Sequence, residues 1–253
     1  MTDEIELAPE PGILVESLRD IGYSFNSALA DVIDNSITAC ASRISVFALP
    51  VADSFKVAII DDGNGLNRSD LLQAMRLGSA DPREERAIGD LGRFGLGLKT
   101  ASFSQCRRLT VVSRQHGEIA AFTWDLDTVV KENSWSVLER TDFDSIFAID
   151  ELPSTGTMVL WEKVDRLTGR NGSGKVDYER VISESQDYLS LVFHRFLSGE
   201  RNTQKISISI NGRALDPIDP FNIANEATQA SPEEVVCPGG HLAVVHAPAY
   251  LDI

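Results

Sequence analysis

Residues 29–39 read Leu-Ala-Asp-Val-Ile-Asp-Asn-Ser-Ile-Thr-Ala. At roughly 100° per residue in a helix, Asp31, Asp34, Asn35 and Thr38 share one face, while Leu29, Val32, Ile33 and Ile37 gather on the other. The polar face therefore carries short oxygen-bearing side chains and no Lys, Arg, Glu or Gln. Solvated helix faces usually take those longer residues, which are better helix formers. A hard cation would favour the short ones: Mg²⁺ takes oxygen ligands, keeps several waters and shares the rest with phosphates. An Asn amide oxygen can be one ligand, and a carboxylate one turn away can orient or deprotonate a water. Taken alone, the segment reads equally well as an amphipathic helix with a polar face.

Two further segments have chemical potential. VAIIDDGNGL (57–66) is a buried-looking strand that runs into Asp61-Asp62-Gly63-Asn64-Gly65. A carboxylate fixed at a strand end can accept a hydrogen bond from an adenine amino group, and glycines let a planar base lie against the backbone. A plain β-turn would use the same residues. In LGRFGLGLKTASFS (91–104), Gly92, Gly95 and Gly97 precede a helix-like run that carries Lys99 and Thr100 near its start. Exposed N–H groups at a helix N-terminus favour anions, so this is a phosphate cradle in physical terms, or else a flexible loop. It is not a Walker A loop, and the nearest approach to one, GRNGSGK (169–175), is followed by Val176 where a hydroxyl is needed. Nor is it a Rossmann turn, because the glycine order differs and no strand directly precedes it.

Asp31-x-x-Asp34-Asn35, Asp61-x-Gly63-x-Gly65, Gly92-x-x-Gly95-x-Gly97 and Thr155-Gly156-Thr157 follow one another in this order. The set resembles the GHKL ATPase superfamily, which includes gyrase B-type topoisomerases, heat-shock chaperones of that class, histidine kinases, MutL and MORC proteins. The resemblance covers roughly residues 12–167. Within it, Gly95-Leu96-Gly97-Leu98-Lys99-Thr100 is similar to the Gly-x-Gly-x-Lys-Ser/Thr form of MORC proteins, and 93–113 with 155–167 to bacterial MORC-like ATPases. The histidines, His116, His194, His241 and His246, all follow the motif helix, unlike the phosphoacceptor helix of a complete histidine kinase.

The resemblance implies a Bergerat ATP-binding fold: an α/β (α+β) two-layer sandwich with a mixed sheet and helices on one face. It implies binding of ATP (and ADP) with Mg²⁺, slow hydrolysis, closure of a lid over residues 66–94, and ATP-dependent homodimerisation as a molecular clamp. A conformational switch with little hydrolysis is the alternative, and a phosphotransferase a weaker one. Asp31 matches the general base, Asn35 the Mg²⁺ ligand, Asp61 the adenine-reading carboxylate and Thr157 its supporting hydroxyl. Gly63 and Gly65 match the adenine pocket. Gly92, Gly95 and Gly97 match the amides on the phosphates, with Lys99 and Thr100 assisting. The same matching assigns Asp34, Thr38, Ala39, Leu66, Arg93, Phe94, Leu96 and Leu98 to the nucleotide. Two positions depart from the family: it mostly has Glu where Asp31 stands, and often Asp where Thr38 stands.

Several elements must position these residues. Segments 13–22 and 26–40 read as helices, and 43–49 and 55–61 as strands. Asn67 caps a helix running to about Leu77, and another helix starts near Gly95. Segments 108–114 and 118–125 pair through a His-Gly turn, and 156–162 is a further strand. A helix spans 178–198, and KISISIN (205–211) leads into an Asn-Gly hairpin signal. The expected organisation is an N-terminal extension (1–11), the ATP-binding domain (12–200) and the beginning of a transducer-like second domain (201–253), with the chain a fragment of a longer protein.

Bulk properties narrow the function classes. No stretch approaches the about 18 apolar residues of a membrane span, and the acidic start MTDEIELAPEPG is unlike a signal peptide. Cys40, Cys106 and Cys237, odd in number and far apart, suggest reduced thiols in a cytoplasmic protein. A formal net charge of −15 argues against the whole surface binding nucleic acid. A DNA or protein client would have to be reached through regions outside this chain.

Overall fold

The computed structural model describes residues 9–51, 54–78, 97–167, 176–200, 203–222, 228–230, 234–236, 243–245 and 248–249. The helices are α1 (Pro11–Arg19), α2 (Phe25–Thr38), α3 (Arg68–Met75), α4 (Gly97–Phe103), α5 (Leu126–Glu132), α6 (Tyr178–Val192) and α7 (His194–Ser198). The strands are β1 (Arg43–Val51), β2 (Ser54–Asp61), β3 (Cys106–Gln115), β4 (Glu118–Asp125), β5 (Leu138–Glu139), β6 (Gly156–Val164), β7 (Ser207–Ile210) and β8 (Arg213–Ala214), followed by the short β9 (Gln229–Ala230), β10 (Glu234–Val236), β11 (Ala243–Val245) and β12 (Pro248–Ala249). No described helix is long and apolar enough to cross a membrane.

Strands β1 to β8 form one sheet in the order β5-β4-β3-β6-β2-β1-β7-β8. All its pairings are antiparallel except β1 with β7, so the sheet is mixed. The hairpin from β3 to β4 turns on His116 and Gly117, both at positive φ, and β7 to β8 turns on Asn211 and Gly212 in the same way. Such paired left-handed residues match the twist of the flanking strands.

Because side chains alternate across a strand, each strand feeds two separate cores. Val57 and Ile59 of β2, Leu109 and Val111 of β3, and Val159 and Trp161 of β6 face the helices, packing with Leu29, Val32 and Ile33 of α2. Ala58, Ile60, Val112, Met158 and Leu160 face the other way. The architecture is the expected α/β sandwich with helices on one face. The opposite face is covered by an irregular strap, which lays Ile146 and Leu152 on it with Phe143, Phe147 and Ile149 alongside. Arg114 donates to the carbonyls of Leu152 (2.9 Å) and Pro153 (3.0 Å) and closes the end of the strap. Nothing in the strap's hydrophobic spacing marked it as a core layer.

Two expectations shift. The helix foreseen over 178–198 breaks at Phe193 into α6 and α7. The sheet runs past residue 200, where a domain boundary was expected: β7 pairs with β1 along Arg43–Val46, and Asn211 exchanges hydrogen bonds with the Ala48 backbone (2.8 and 3.1 Å). Ile208 and Ile210 are buried in the helix-side core. The apolar/polar alternation of 205–211 foresaw the strand, but could not say which sheet it joins.

Candidate functional site

Strand register builds the first part of the site. Asp61 lies opposite Thr157 across β2 and β6, and Thr157 lies opposite Ser113 across β6 and β3. Asp61 continues the Val57-Ile59 parity, Thr157 the Val159-Trp161 parity and Ser113 the Leu109-Val111 parity, so all three sit in one row on the helix-facing side. Ser113 and Thr157 hydroxyls lie 3.0 Å apart, and Ser113 Oγ accepts the Leu66 amide at 2.7 Å.

Helix α2 closes over this row. It starts because Ser24 Oγ accepts the Ser27 amide (3.1 Å), and it docks because Ala28, Leu29, Val32 and Ile33 are buried. The same inward stripe carries Ser36, which donates to Asp61 Oδ2 at 2.8 Å. Asp61 Oδ1 accepts the amides of Gly63 (2.9 Å) and Thr157 (3.2 Å). Burial of Asp61 pushes its carboxyl above the ordinary range, and the donors Gly63, Ser36 and Thr157 only partly offset that. Ser36 was absent from the sequence expectation. Its signal was a small hydroxyl on the apolar side of the helix, where Ile37 and Ile33 drew the eye.

The loop after β2 is stitched to the end of α2. Asn64 donates its amide to Ala39 O at 2.9 Å. A Cβ on Gly63 would lie 2.7 Å from Ala39 O, so the loop can approach only with glycine there. Gly65, at φ +63°, would place a Cβ 2.3 Å from Arg114 O. Gly156, at φ +148°, would place one 2.0 Å from Asp61 O. Adjacent Asp62 has a different task. Burial opposes its charge, yet the Arg43 amide, the Ser42 hydroxyl and the Ser42 amide hold its carboxyl below the ordinary range and staple the loop to β1.

The outward face of α2 is arranged differently. Asn35 Nδ2 donates to Asp31 O (2.9 Å) and Thr38 Oγ1 to Asp34 O (3.0 Å), both within the helix. Asn35 and Thr38 are exposed, Asp31 and Asp34 half-buried. Burial and then the neighbouring Asp31 charge push the Asp34 carboxyl up to about 6. Burial and then the neighbouring Asp31 push the Tyr23 phenol above its ordinary value.

Helix α4 begins at the exposed Gly97, and its far end is held by Arg19, which donates Nε to Phe103 O at 3.0 Å and pairs with Asp165. Leu98 packs on the helix-side core and Thr100 is buried, with Oγ1 3.3 Å from Gly97 O. Lys99 is only 2% exposed and donates to Ala74 O in the last turn of α3 at 2.7 Å. Burial lowers its ammonium to about 8. Gly92, Arg93, Phe94, Gly95 and Leu96 lie outside the described residues, as does most of the expected lid. The lid's first part, 66–78, is a docked helix: Asn67 caps α3, Leu71 and Met75 are buried, and Trp124 Nε1 donates to Met75 O at 3.0 Å.

The structure thus brings Asp61, Gly63, Leu66 and Thr157 together with Ala39, and separately sets Asp31 beside Asp34. It turns the Lys99 amine toward α3.

A family model described as "Histidine kinase-, DNA gyrase B-, and HSP90-like ATPase" matches residues 23–157, which span α2 through the start of β6. The ATPase morc-1 of Caenorhabditis elegans is 25% identical over 205 residues, covering 70% of this chain and 23% of that protein. The DNA mismatch repair protein MutL of Rhodopseudomonas palustris (strain HaA2) is 31% identical over 98 residues, 38% of this chain and 16% of its own. The ATPase MORC2 of Homo sapiens is 33% identical over 78 residues, 30% of this chain and 8% of its own. In these matches the chain accounts for less than a quarter of each relative's length.

Proposed function

The chain belongs to the histidine kinase-, DNA gyrase B- and HSP90-like ATPase family, and on that premise we propose that it binds ATP with Mg²⁺ and hydrolyses it slowly. One observation carries the reading most: Asp61 is buried at the end of β2, held by Ser36, Gly63 and Thr157, and faces α2. An ionised carboxylate has about four acceptor sites. Three are used, and the fourth suits the adenine amino group. Gly63 and Gly65 keep the adjacent loop flat enough for a base to lie along it.

The phosphates would lie against Gly92, Gly95, Gly97 and the start of α4. Oxygen donors on α2 fit a hard cation. With its NH₂ committed to Asp31 O, Asn35 keeps its Oδ1 as the ligand atom it can offer. Among the described residues no trio of His, Cys, Asp or Glu is arranged to hold a metal. A Mg²⁺ ion here would take Asn35 plus waters and nucleotide oxygens, as this ion commonly does. Bound there, the ion would neutralise phosphate charge. Asp31 then orients a water toward the terminal phosphate and accepts its proton. Lys99 would reach the phosphates only by giving up its bond to Ala74 O.

Beyond the site, we propose that nucleotide closes the lid expected over residues 66–94 and favours dimerisation, giving a MORC-like clamp. A transducer-like unit would begin after Ala214 rather than at 201, the protein would act in the cytoplasm, and any DNA or protein client would engage regions outside this chain. The rival reading is an ATP-binding switch with little turnover, which the shorter Asp31 side chain favours. Calorimetry with ATP, with and without Mg²⁺, combined with a phosphate-release assay on parent, Asp31→Ala and Asp31→Glu, tests these. Saturable Mg²⁺-dependent binding with turnover lost in Asp31→Ala is expected. Binding with equal turnover in all three removes Asp31 as the base, and no binding at millimolar nucleotide removes the reading.

A further inference from the structure

Thr157 is half-buried beside Asp61, and its hydroxyl is held by a residue that no motif marks. Ser113, near the end of β3, is fully buried, so it meets no ligand and acts only through what it touches. Its Oγ accepts the Leu66 amide at 2.7 Å. The loop before Leu66 is fixed by the same strand: two residues on, Gln115 Nε2 donates to Asn64 O and Gly65 O, each at 3.0 Å. One Ser113 proton remains, with two acceptors in reach, Thr157 Oγ1 at 3.0 Å and Gly156 O at 3.2 Å. Among the described residues Ser113 is the only hydrogen-bond partner of the Thr157 hydroxyl.

A hydroxyl has one proton to give and two lone pairs to receive with. If Ser113 donates to Thr157, the Thr157 proton is left for a ligand. If it donates to Gly156 O instead, Thr157 must donate back to Ser113 and can offer a ligand only lone pairs. The shorter contact favours the first arrangement. Asp61 stands next to it as an acceptor, because its Oδ1 takes the Thr157 amide at 3.2 Å and its Oδ2 the Ser36 hydroxyl at 2.8 Å. An acceptor beside a donor matches adenine, which offers a 6-amino donor and an N1 acceptor. It mismatches guanine, which offers a 6-oxo acceptor and an N1–H donor. We propose that Ser113 is a positioning residue for base recognition: it holds the Thr157 hydroxyl in place and sets its polarity, so that Thr157 donates to purine N1 while Asp61 accepts from the amino group. This role rests on the reading of Asp61 as the partner of adenine. It also ties the base to the loop, since the same Ser113 oxygen carries the Leu66 amide just before the Asn67 cap of α3.

Calorimetry with ATP and with 1-deaza-ATP, which keeps the amino group and lacks N1, isolates that bond. The parent should bind ATP about tenfold more tightly than 1-deaza-ATP, the size of one well-placed hydrogen bond. Ser113→Ala should weaken ATP alone and bring the two affinities within about twofold of each other. Thr157→Val should do the same, and the double variant should add nothing further. A parent that does not distinguish the two nucleotides overturns the polarity assigned to Thr157. A Ser113→Ala variant that keeps the parent's ratio, or that loses both nucleotides equally, overturns the positioning role. Ser113→Cys, close in size but a poor donor, carries the same expectations if the alanine variant does not fold. Amide exchange at Leu66 needs no nucleotide. It should quicken at least about tenfold in Ser113→Ala, and an unchanged rate overturns the bond on which the geometry stands. A parent that binds neither nucleotide at millimolar concentration removes the adenine reading and this role with it, whereas ATP binding with a ratio that Ser113→Ala leaves unaltered removes this role alone.

Discussion

The two sides of helix α2 handle polar groups in opposite ways. On the inward side, Ser36, Asp61, Thr157 and Ser113 satisfy one another across three strands and a helix, and the closest backbone approaches are made by glycines. On the outward side, Asn35 and Thr38 bond only to carbonyls of their own helix, and Asp31 and Asp34 set like charges side by side. The first arrangement is complete before a ligand arrives. The second costs stability until a cation does. A site divided this way can recognise the base with a rigid wall and leave its response to the phosphate end.

Glycine substitutions should break the contrast most sharply. Gly156→Ala forces a Cβ to within 2.0 Å of Asp61 O at a positive φ, so a loss of more than about 4 kcal/mol, or no folded protein, is expected in urea denaturation. Gly97→Ala meets nothing within 4 Å and should change stability by less than about 1 kcal/mol. Equal costs at the two glycines would erase the distinction. Next in size is Asp61→Ala. It strands the Ser36 hydroxyl and the Gly63 and Thr157 amides, and relief of a buried charge returns part of the loss. A net cost of about 2 kcal/mol is expected, with ATP affinity down at least about a hundredfold. Binding unchanged by calorimetry would take Asp61 out of the site.

Lys99 sharpens the comparison from the other side. Its folded value, about 8, lies below the ordinary 10.5, so the unfolded chain holds the extra proton between those values. Stability should therefore rise as pH climbs from about 8 to 10.5, and that rise should vanish in Lys99→Met. At neutral pH the variant should be more stable by about 1–2 kcal/mol, because a buried charge goes at the expense of one hydrogen bond. A parent with a flat thermal midpoint over that range would show that Lys99 is solvated.

Legibility followed the same divide. One-sided apolar patterns placed α2 and β1 closely, continuous apolar runs placed β2 and β6, and the His116-Gly117 and Asn211-Gly212 turns were readable from residue type alone. The family resemblance picked out Asp61, Gly63 and Thr157, and strand register sets Asp61 opposite Thr157. What stayed hidden depends on contacts far apart in sequence: Ser36 meeting Asp61, Ser113 in the same row, and the 140–155 strap over the second sheet face. None of these has a spacing rule. Lys99 was assigned to the phosphates by its neighbours in the motif, and only the packing of α4 against α3 shows where its amine lies.

The smallest expected effect is also the most direct check on the outward face. Asp34→Asn removes one of two facing carboxylates and leaves the carbonyl that Thr38 uses. The Asp34 carboxyl is raised to about 6 from 3.8, so the folded chain binds its proton more tightly than the unfolded chain does. Its contribution to stability is present below about 3.8 and is lost as pH rises through about 6. At neutral pH the substitution should therefore stabilise the protein without nucleotide, by about 1 kcal/mol once solvent screening of a half-exposed group is allowed for. Thermal melts of parent and variant should separate across that window and run parallel above it. Adding Mg²⁺ and ATP should raise the parent's midpoint more than the variant's, because the cation relieves a repulsion that the variant lacks. If the two proteins melt together throughout, with and without nucleotide, the outward face carries no stored repulsion and α2 is an ordinary solvated helix on that side.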